Sequence, residues 1–260
     1  MEYESDDAPE SKLVITRDGS HTVYSSRFDQ HYHNPNGAVA ESRYVFFKQT
    51  GLIDVLKTKD EITILETGFG TGLNLMLLID YYLELESDSH LNYISVEGFP
   101  LDSKTVQKFN YGTHLNHPEA VPEVTGLFGS LSKGINEFTL LSNISVRLFY
   151  GMFDDFHPEN IKADYIFHDA FSPDANPDLW TGEVFKKLRN FSSDEVILST
   201  YCAASKARGA LASTGWKVAR AQGALGKREM TLATLSPERL GDLKRVNEER
   251  LAKRYKDNDF

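Results

Sequence analysis

The chain has a single cysteine, Cys202, among 260 residues. No intramolecular disulfide and no cysteine-only metal site can form, and a reducing compartment is the default setting. A long apolar run is also missing. The most apolar stretch, Leu73 to Leu83, is broken by Asn74 and Asp80, short of the roughly 20 residues that a membrane helix needs. Met1 to Ser11 is acidic and has no apolar signal-peptide core, so neither secretion nor membrane spanning is expected and the predicted location is cytoplasmic. Basic charge is scarce: 28 Lys+Arg against 38 Asp+Glu leave a net charge of −10. Such a balance argues against a protein that coats DNA or RNA nonspecifically, because phosphates reward dense Lys/Arg. The scarcity is uneven. Residues 1–200 hold 15 basic and 31 acidic side chains, a balance of −16, whereas residues 201–260 hold 13 and 7, a balance of +6. A solvated, mixed-charge helix over Glu238 to Lys256 accounts for this as well as a local basic surface for a polyanion does, and charge alone leaves both open.

The length fits one α/β domain with embellishments and can bury a sizeable core. Two short strands, Leu13 to Thr16 and Thr22 to Tyr24, are expected around a turn at Asp18-Gly19. A polar, aromatic stretch, Phe28 to Gly37, and a helix over Ser42 to Leu56 follow. From residue 61 strands and helices alternate: Ile62 to Glu66, helix Leu73 to Leu83, Leu91 to Glu97, helix Ser103 to Asn110. This is the pattern of βαβ units and a parallel sheet. The less regular segment Gly112 to Asn143 has room for inserted helices over the sheet. Strands resume at Val146 to Tyr150, Tyr165 to His168 and Val196 to Tyr201, with helices at Gly182 to Asn190 and Ala204 to Ser213, then strands Trp216 to Ala221 and Met230 to Thr234. The reading is an extension over 1–60, a doubly wound domain over 61–236 with an insertion near 112–143, and a charged helical tail over 237–260.

Where the first strand of that domain should turn into a helix stands Leu65-Glu66-Thr67-Gly68-Phe69-Gly70-Thr71-Gly72. Glycines there permit a tight turn and let a ligand approach the backbone. The spacing is G-x-G-x-G rather than the G-x-G-x-x-G of dinucleotide enzymes, and Glu66 precedes the first glycine by two residues. A carboxylate there would repel a doubly negative pyrophosphate. It favours S-adenosylmethionine, which brings a sulfonium and an ammonium with only one carboxylate. A glycine turn holding no ligand is the plainer alternative. The second strand ends in Glu97, whose two oxygens can accept hydrogen bonds from both hydroxyls of a ribose. Asp169 ends the apolar strand Tyr165 to His168, where open α/β sheets place their active sites; Phe171-Ser172-Pro173 and Asn176-Pro177 stiffen the loop after it. Asp169 is a candidate for orienting an incoming amine, or simply a carboxylate capping nearby amides. His168, its neighbour, should face the opposite side of the strand. His21, His31 and His33 read as a polar surface loop rather than a metal site, and Cys202 as a small buried residue.

Four stretches, Glu66 to Gly72, Asp169 to Pro173, Asn176 to Trp180 and Lys227-Arg228-Glu229-Met230, together with Phe28-Asp29, Gly37, Glu41-Ser42 and Tyr44-Val45-Phe46, resemble the methyltransferase portion of the MnmC family over about residues 13–235. The resemblance implies a Rossmann-like class I S-adenosylmethionine-dependent methyltransferase, with a seven-stranded, mostly parallel sheet and helices on both faces. It implies methylation of 5-aminomethyl-(2-thio)uridine to 5-methylaminomethyl-(2-thio)uridine at wobble position 34 of tRNA. With no length left for a flavin domain, the stand-alone form (MnmD) is expected.

The implied donor site is Glu66, Gly68, Phe69, Gly70, Gly72, Asn74, Glu97 and Asp169, with Asp169 catalytic and no metal. The wobble base must leave its stack, and aromatic and basic groups commonly hold such a base. Phe171, Tyr201, Lys227 and Arg228 are the candidates for the anticodon loop. Gly151-Met152 departs from the Gly-Asp that contacts adenine in the family, with Asp154-Asp155 displaced downstream, and Ala175 replaces a lysine. Rival readings are a methyltransferase of the same fold acting on a small-molecule or protein amine, an inactive RNA-binding relative, and a nicotinamide dehydrogenase.

Overall fold

Residues 12–260 are described in a computed structural model; the acidic segment 1–11, and with it the start of the 1–60 extension, lies outside the described residues. Three short strands, β1 (Lys12–Ile15), β2 (His21–Ser25) and β3 (Gln30–His31), pair antiparallel in a small sheet. At the first turn Asp18 accepts hydrogen bonds from the Thr16 hydroxyl (2.6 Å) and the Ser20 amide (3.0 Å), and Gly19 takes a left-handed φ of +85°, as an Asp-Gly turn invites. The helix expected over 42–56 comes in three pieces. These are α1 (Ala38–Ser42), a π-helical turn over Arg43–Lys48, and α2 (Leu52–Val55). The physical reason lies at Thr50-Gly51: the Thr50 hydroxyl donates back to the carbonyls of Phe46 and Phe47 (2.7 and 3.2 Å), and Gly51 leaves the helical region at φ +72°.

The main sheet holds β4 (Glu61–Thr67), β5 (His90–Glu97), β6 (Gly134–Leu140), β7 (Ile144–Tyr150), β8 (Ala163–His168), β9 (Ser192–Thr200), β10 (Lys217–Gln222), β11 (Glu229–Thr234) and β12 (Lys244–Arg245), in the spatial order 12-10-11-9-8-4-5-7-6. The seven strands from β10 to β7 make the expected, mostly parallel sheet. Strands β6 and β12 lengthen it to nine by pairing antiparallel at the two edges. β4 pairs parallel with both β5 and β8, so strand order reverses there, and the carboxyl ends of β4 and β8 open onto the crevice where such sheets bind ligands. The centres of these strands are buried on both faces, which a sheet covered on both sides demands.

One face is covered by the N-terminal extension together with α3 (Leu73–Glu84), α4 (Ser103–Val106) and α5 (Ala120–Phe128), around Phe46, Phe47, Leu75 and Leu127. The other face carries α6 (Gly182–Asn190), α7 (Ser205–Ser213) and α8 (Glu248–Lys256), around Phe185, Leu211 and Trp216. Helix α4 stops well short of the Asn110 expected for it. The 112–143 insertion holds α5 and the edge strand β6 rather than helices alone. The tail has a structural part: β12 extends the sheet edge, and the Tyr255 hydroxyl of α8 accepts from the Gly182 amide (2.8 Å) at the start of α6. Among the described residues no helix is long and apolar enough to cross a membrane.

Candidate active site

The glycine loop joins β4 to α3, and its shape follows from close approaches that side chains would block. Gly68 (φ +94°) faces the end of β8: a Cβ there would lie 2.8 Å from the Asp169 carbonyl oxygen. Gly70 (φ +55°) faces the Tyr32 ring, 3.2 Å from where its Cβ would be. The Asp169 amide donates to the Thr67 carbonyl (3.0 Å), so loop and strand end are tied together. Glu97, at the end of β5, accepts from the Gly70 and Phe99 amides (2.9 and 2.7 Å).

These elements enclose a cavity of about 530 Å³, lined by Gly68, Gly70, Glu97 and Asp169, by the aromatic rings of Phe28, Tyr32, Phe99 and Phe171, and by Met152 and Asp154. Phe28 stacks on Phe171 at 4.3 Å between ring centroids. A larger open depression of about 1020 Å³ lies at the opposite, amino-terminal end of the strands, beside Glu61, Asn92 and Ser145. That depression holds none of the site residues expected from sequence, whereas the cavity at the carboxyl ends gathers Gly68, Gly70, Glu97, Asp169 and Phe171.

Beneath that cavity lies a hydrogen-bonded chain of carboxyl groups. Asn74, in the first turn of α3, donates to both Glu66 and Asp169 (2.9 Å each), and the Ser95 hydroxyl donates to Glu66 (2.7 Å). Burial pushes the Glu66 pKa up to about 7 against these hydrogen bonds. Burial, then the neighbouring Glu66 and Glu41 carboxylates, push Asp169 well above the usual carboxylate range, with Asn74 and Lys227 pulling it back. Glu97 is also raised by burial, opposed by backbone amides. Burial therefore favours the protonated forms of these carboxyls, and a cation entering the cavity would favour their ionised forms.

Asp169 also borders a second, smaller cavity of about 220 Å³, which Glu41, Tyr32, Tyr201 and Lys227 share. The loop carrying Asp169 is pinned from three sides. Trp180 donates its indole N–H to the Phe171 carbonyl (2.7 Å), Tyr201 its hydroxyl to the Ala170 carbonyl (2.8 Å), and Ser172 both amide and hydroxyl to Gln30 (3.2 and 2.9 Å).

The expected residues therefore divide. Gly68, Gly70, Glu97 and Asp169 line the larger cavity. Glu66 and Asn74 sit behind it, and Phe69 is core, stacked on Phe128 at 5.2 Å. Gly72 is the left-handed residue that starts α3, and its Cβ would meet Val124 at 2.8 Å. Tyr201, Lys227 and Arg228 gather at an outer groove of about 560 Å³ with Arg208 and Arg220, while the Phe171 ring belongs to the larger cavity. His168 packs against Trp180 (4.5 Å between centroids), its pKa pushed down to about 3 by burial. His33 leaves the expected surface loop: its ring bonds Thr71 (2.8 Å), and burial pushes its pKa down to about 4. Sequence reasoning did not assign Phe28, Tyr32 and Glu41 to the site, although Phe28 and Glu41 stand in stretches that carry the family resemblance and Phe28 and Tyr32 lie in the polar, aromatic stretch 28–37.

A family model described as S-adenosyl-L-methionine-dependent methyltransferase matches residues 126–236. The chain is 35% identical over 214 residues, 80% of its length, to the tRNA 5-methylaminomethyl-2-thiouridine biosynthesis bifunctional protein MnmC of Leptospira borgpetersenii, and 29% identical over 81% of its length to that of Campylobacter hominis. The crystal structure of MnmC2 from Aquifex aeolicus superposes with a TM-score of 0.73 at 26% identity, covering 96% of this chain and 77% of that one. The chain belongs to the MnmC methyltransferase-domain family. It spans about a third of the length of the curated MnmC relatives it matches, 33% and 31% respectively.

The site fits the family's donor. The volume lies within the range of small-molecule sites, the two glycines leave backbone exposed, and the aromatic walls offer faces to a purine. Glu97 presents carboxylate oxygens, and the Asn74 Oδ1 atom is buried without a partner among the described residues. In an MnmC-type site, Gly68, Gly70, Glu97 and the aromatic rings would hold S-adenosyl-L-methionine, and Asp169 would face its cationic end.

Proposed function

We propose that the protein methylates the primary amine of 5-aminomethyl-(2-thio)uridine at wobble position 34 of tRNA, giving 5-methylaminomethyl-(2-thio)uridine in the cytoplasm. One observation carries the reading: Asp169 lines both cavities, so a single residue stands between the donor's space and the acceptor's space. The names of the curated MnmC relatives supply the nucleoside.

S-adenosyl-L-methionine supplies an electrophilic methyl group on a sulfonium. Asp169 does the rest of the polar work. Ionised when a cation lies beside it, its carboxyl takes the proton that the acceptor ammonium must lose before attack, accepts a hydrogen bond from the resulting amine, and aims the freed nitrogen lone pair across the cavity boundary. Asn74 fixes the carboxyl by donating to Oδ2. Glu66, tied to the same amide, keeps the floor of the site electronegative whenever it is ionised. Tyr32 and Phe171 wall off water. Tyr201 and Lys227 border the smaller cavity, and Arg228 extends the cationic rim into the outer groove, the composition that an unstacked base and its flanking phosphates call for.

Methyl transfer from labelled donor into tRNA lacking this modification tests the reading. Incorporation is expected into tRNA with a free aminomethyl group and not into the same tRNA after acetylation of its primary amines. Equal labelling of both would overturn it.

A further inference from the structure

The smaller cavity is already furnished with an ammonium. The Lys227 Nζ reaches in from the loop between β10 and β11, lies 2.7 Å from the Glu41 Oε1 atom and sits 5.0 Å from the centre of the Tyr201 ring. Glu41 is fixed from behind by the Asn34 amide, which donates to the same oxygen at 3.0 Å. The two partners differ in exposure: 11% of the Glu41 side chain is exposed against 41% of the Lys227 side chain. A carboxylate beside an aromatic face is a receptor for an ammonium ion. Glu41 is the built part of it, and Lys227 the occupant with a route back to solvent.

We propose that Glu41 is the residue that selects and positions the acceptor's ammonium group, and that Lys227 fills this place until the acceptor displaces it. This rests on the reading that a cationic amine enters the smaller cavity. The exchange is one ammonium for another, so the buried carboxylate keeps a partner throughout and the cost of leaving it bare is avoided. A neutral substituent on the uracil ring cannot make that exchange, and an anionic one is repelled by Glu41 and Asp169 together. Glu41 thus distinguishes acceptors by charge, while Asp169, on the boundary with the donor's cavity, takes the proton that the ammonium must release before its nitrogen can attack. The four-carbon stem of Lys227 lets its ammonium swing outward, toward the groove that it shares with Arg220 and Arg228.

The test compares binding of two anticodon stem-loop hairpins, identical except that one carries 5-aminomethyluridine and the other uridine at the wobble position. Wild-type protein is expected to prefer the aminomethyl hairpin by about tenfold or more, equivalent to ~1.4 kcal/mol. Glu41→Gln should bring the ratio of affinities close to unity while calorimetry shows unchanged donor affinity, which reports an intact fold. Lys227→Met should weaken binding of both hairpins yet raise the ratio, because the competing ammonium is gone. A preference that survives Glu41→Gln would overturn the role of Glu41, and a ratio that collapses in Lys227→Met would show Lys227 to be a contact rather than a stand-in. Wild-type protein that binds both hairpins alike would overturn the acceptor reading and this proposal with it.

Discussion

Asp169 and Glu66 share the amide of a single asparagine, and much of the site's behaviour follows from that pairing. Replacing Asp169 by Ala should lower turnover by at least ~100-fold, the usual contribution of a positioned acid or base. Donor affinity by calorimetry should persist, because Gly68, Gly70 and Glu97 remain; turnover at the wild-type rate would remove Asp169 from the reaction. Glu66 makes a pH-dependent prediction. Its pKa is near 7 in the folded protein against an ordinary 4.5, so the folded state holds a proton that the unfolded chain has already released. The resulting stabilisation is complete below about pH 4.5 and is lost as pH rises through about 7. His33 and His168, depressed by burial, act in the opposite direction but only below about pH 6.5. Between pH 6.5 and 8 the melting temperature of donor-free protein should therefore fall, and Glu66→Gln should flatten that decline. An identical slope in the variant would contradict the raised pKa. Sequence made Glu66, Glu97 and Asp169 legible because each stands at the end of an apolar strand. It could not reveal that Asn74 bridges two of them, since that depends on how the first turn of α3 meets β8.

Among elements, the glycine loop and the helix pair α7–α8 are held by close backbone approaches. Gly70→Val should abolish measurable donor binding, because its Cβ would press on the Tyr32 ring at a left-handed φ; normal affinity would show that donor and loop do not meet there. At Gly209, in α7, a Cβ would come within 2.9 Å of the Leu251 carbonyl in α8. Gly209→Val should cost about 1–3 kcal/mol, as overpacking does, and hydrogen exchange should report the weakening in α8 first. Uniform loss of protection over the whole sheet would contradict a locally docked helix. The alternating strands and helices from β4 to β11 were readable from apolar periodicity, and α6 matches its expected bounds. The broken helix over 38–55 was not: its aromatic and β-branched run, Tyr44 to Phe47, is only a mediocre helix former, and the interruption is made by the Thr50 hydroxyl and the left-handed Gly51.

Over the whole molecule, the +6 balance of residues 201–260 resolves into separate parts. Some of these cations serve structure: Arg208 pairs with Glu229 at 2.8 Å and donates to the Thr231 hydroxyl and the Met230 carbonyl (2.9 and 3.0 Å). Arg220, Lys227 and Arg228 line, with Arg208, the outer groove beside the smaller cavity. Composition could not separate the two groups, because the distinction depends on which side chains the sheet buries. Replacing Lys227 and Arg228 together by Ala should weaken tRNA binding and flatten its dependence on salt, by about one unit of log–log slope for each phosphate no longer neutralised; superimposable binding curves would remove the groove from the interface. The small N-terminal sheet matters at the same scale, since it brings Phe28 and Tyr32 over a site otherwise built from the main sheet. No motif announces that placement.

The central claim is that a methyl donor and a wobble-base amine meet across Asp169. Mass spectrometry of wobble nucleosides, after undermodified tRNA is incubated with the protein and isotope-labelled donor, tests it most directly. The account predicts the labelled methyl on the aminomethyl nitrogen of the wobble uridine with wild-type protein, and at least ~100-fold slower formation of that product with Asp169→Ala. Label at any other nucleoside, or unmethylated 5-aminomethyl-(2-thio)uridine remaining with wild-type protein and bound donor, would contradict it.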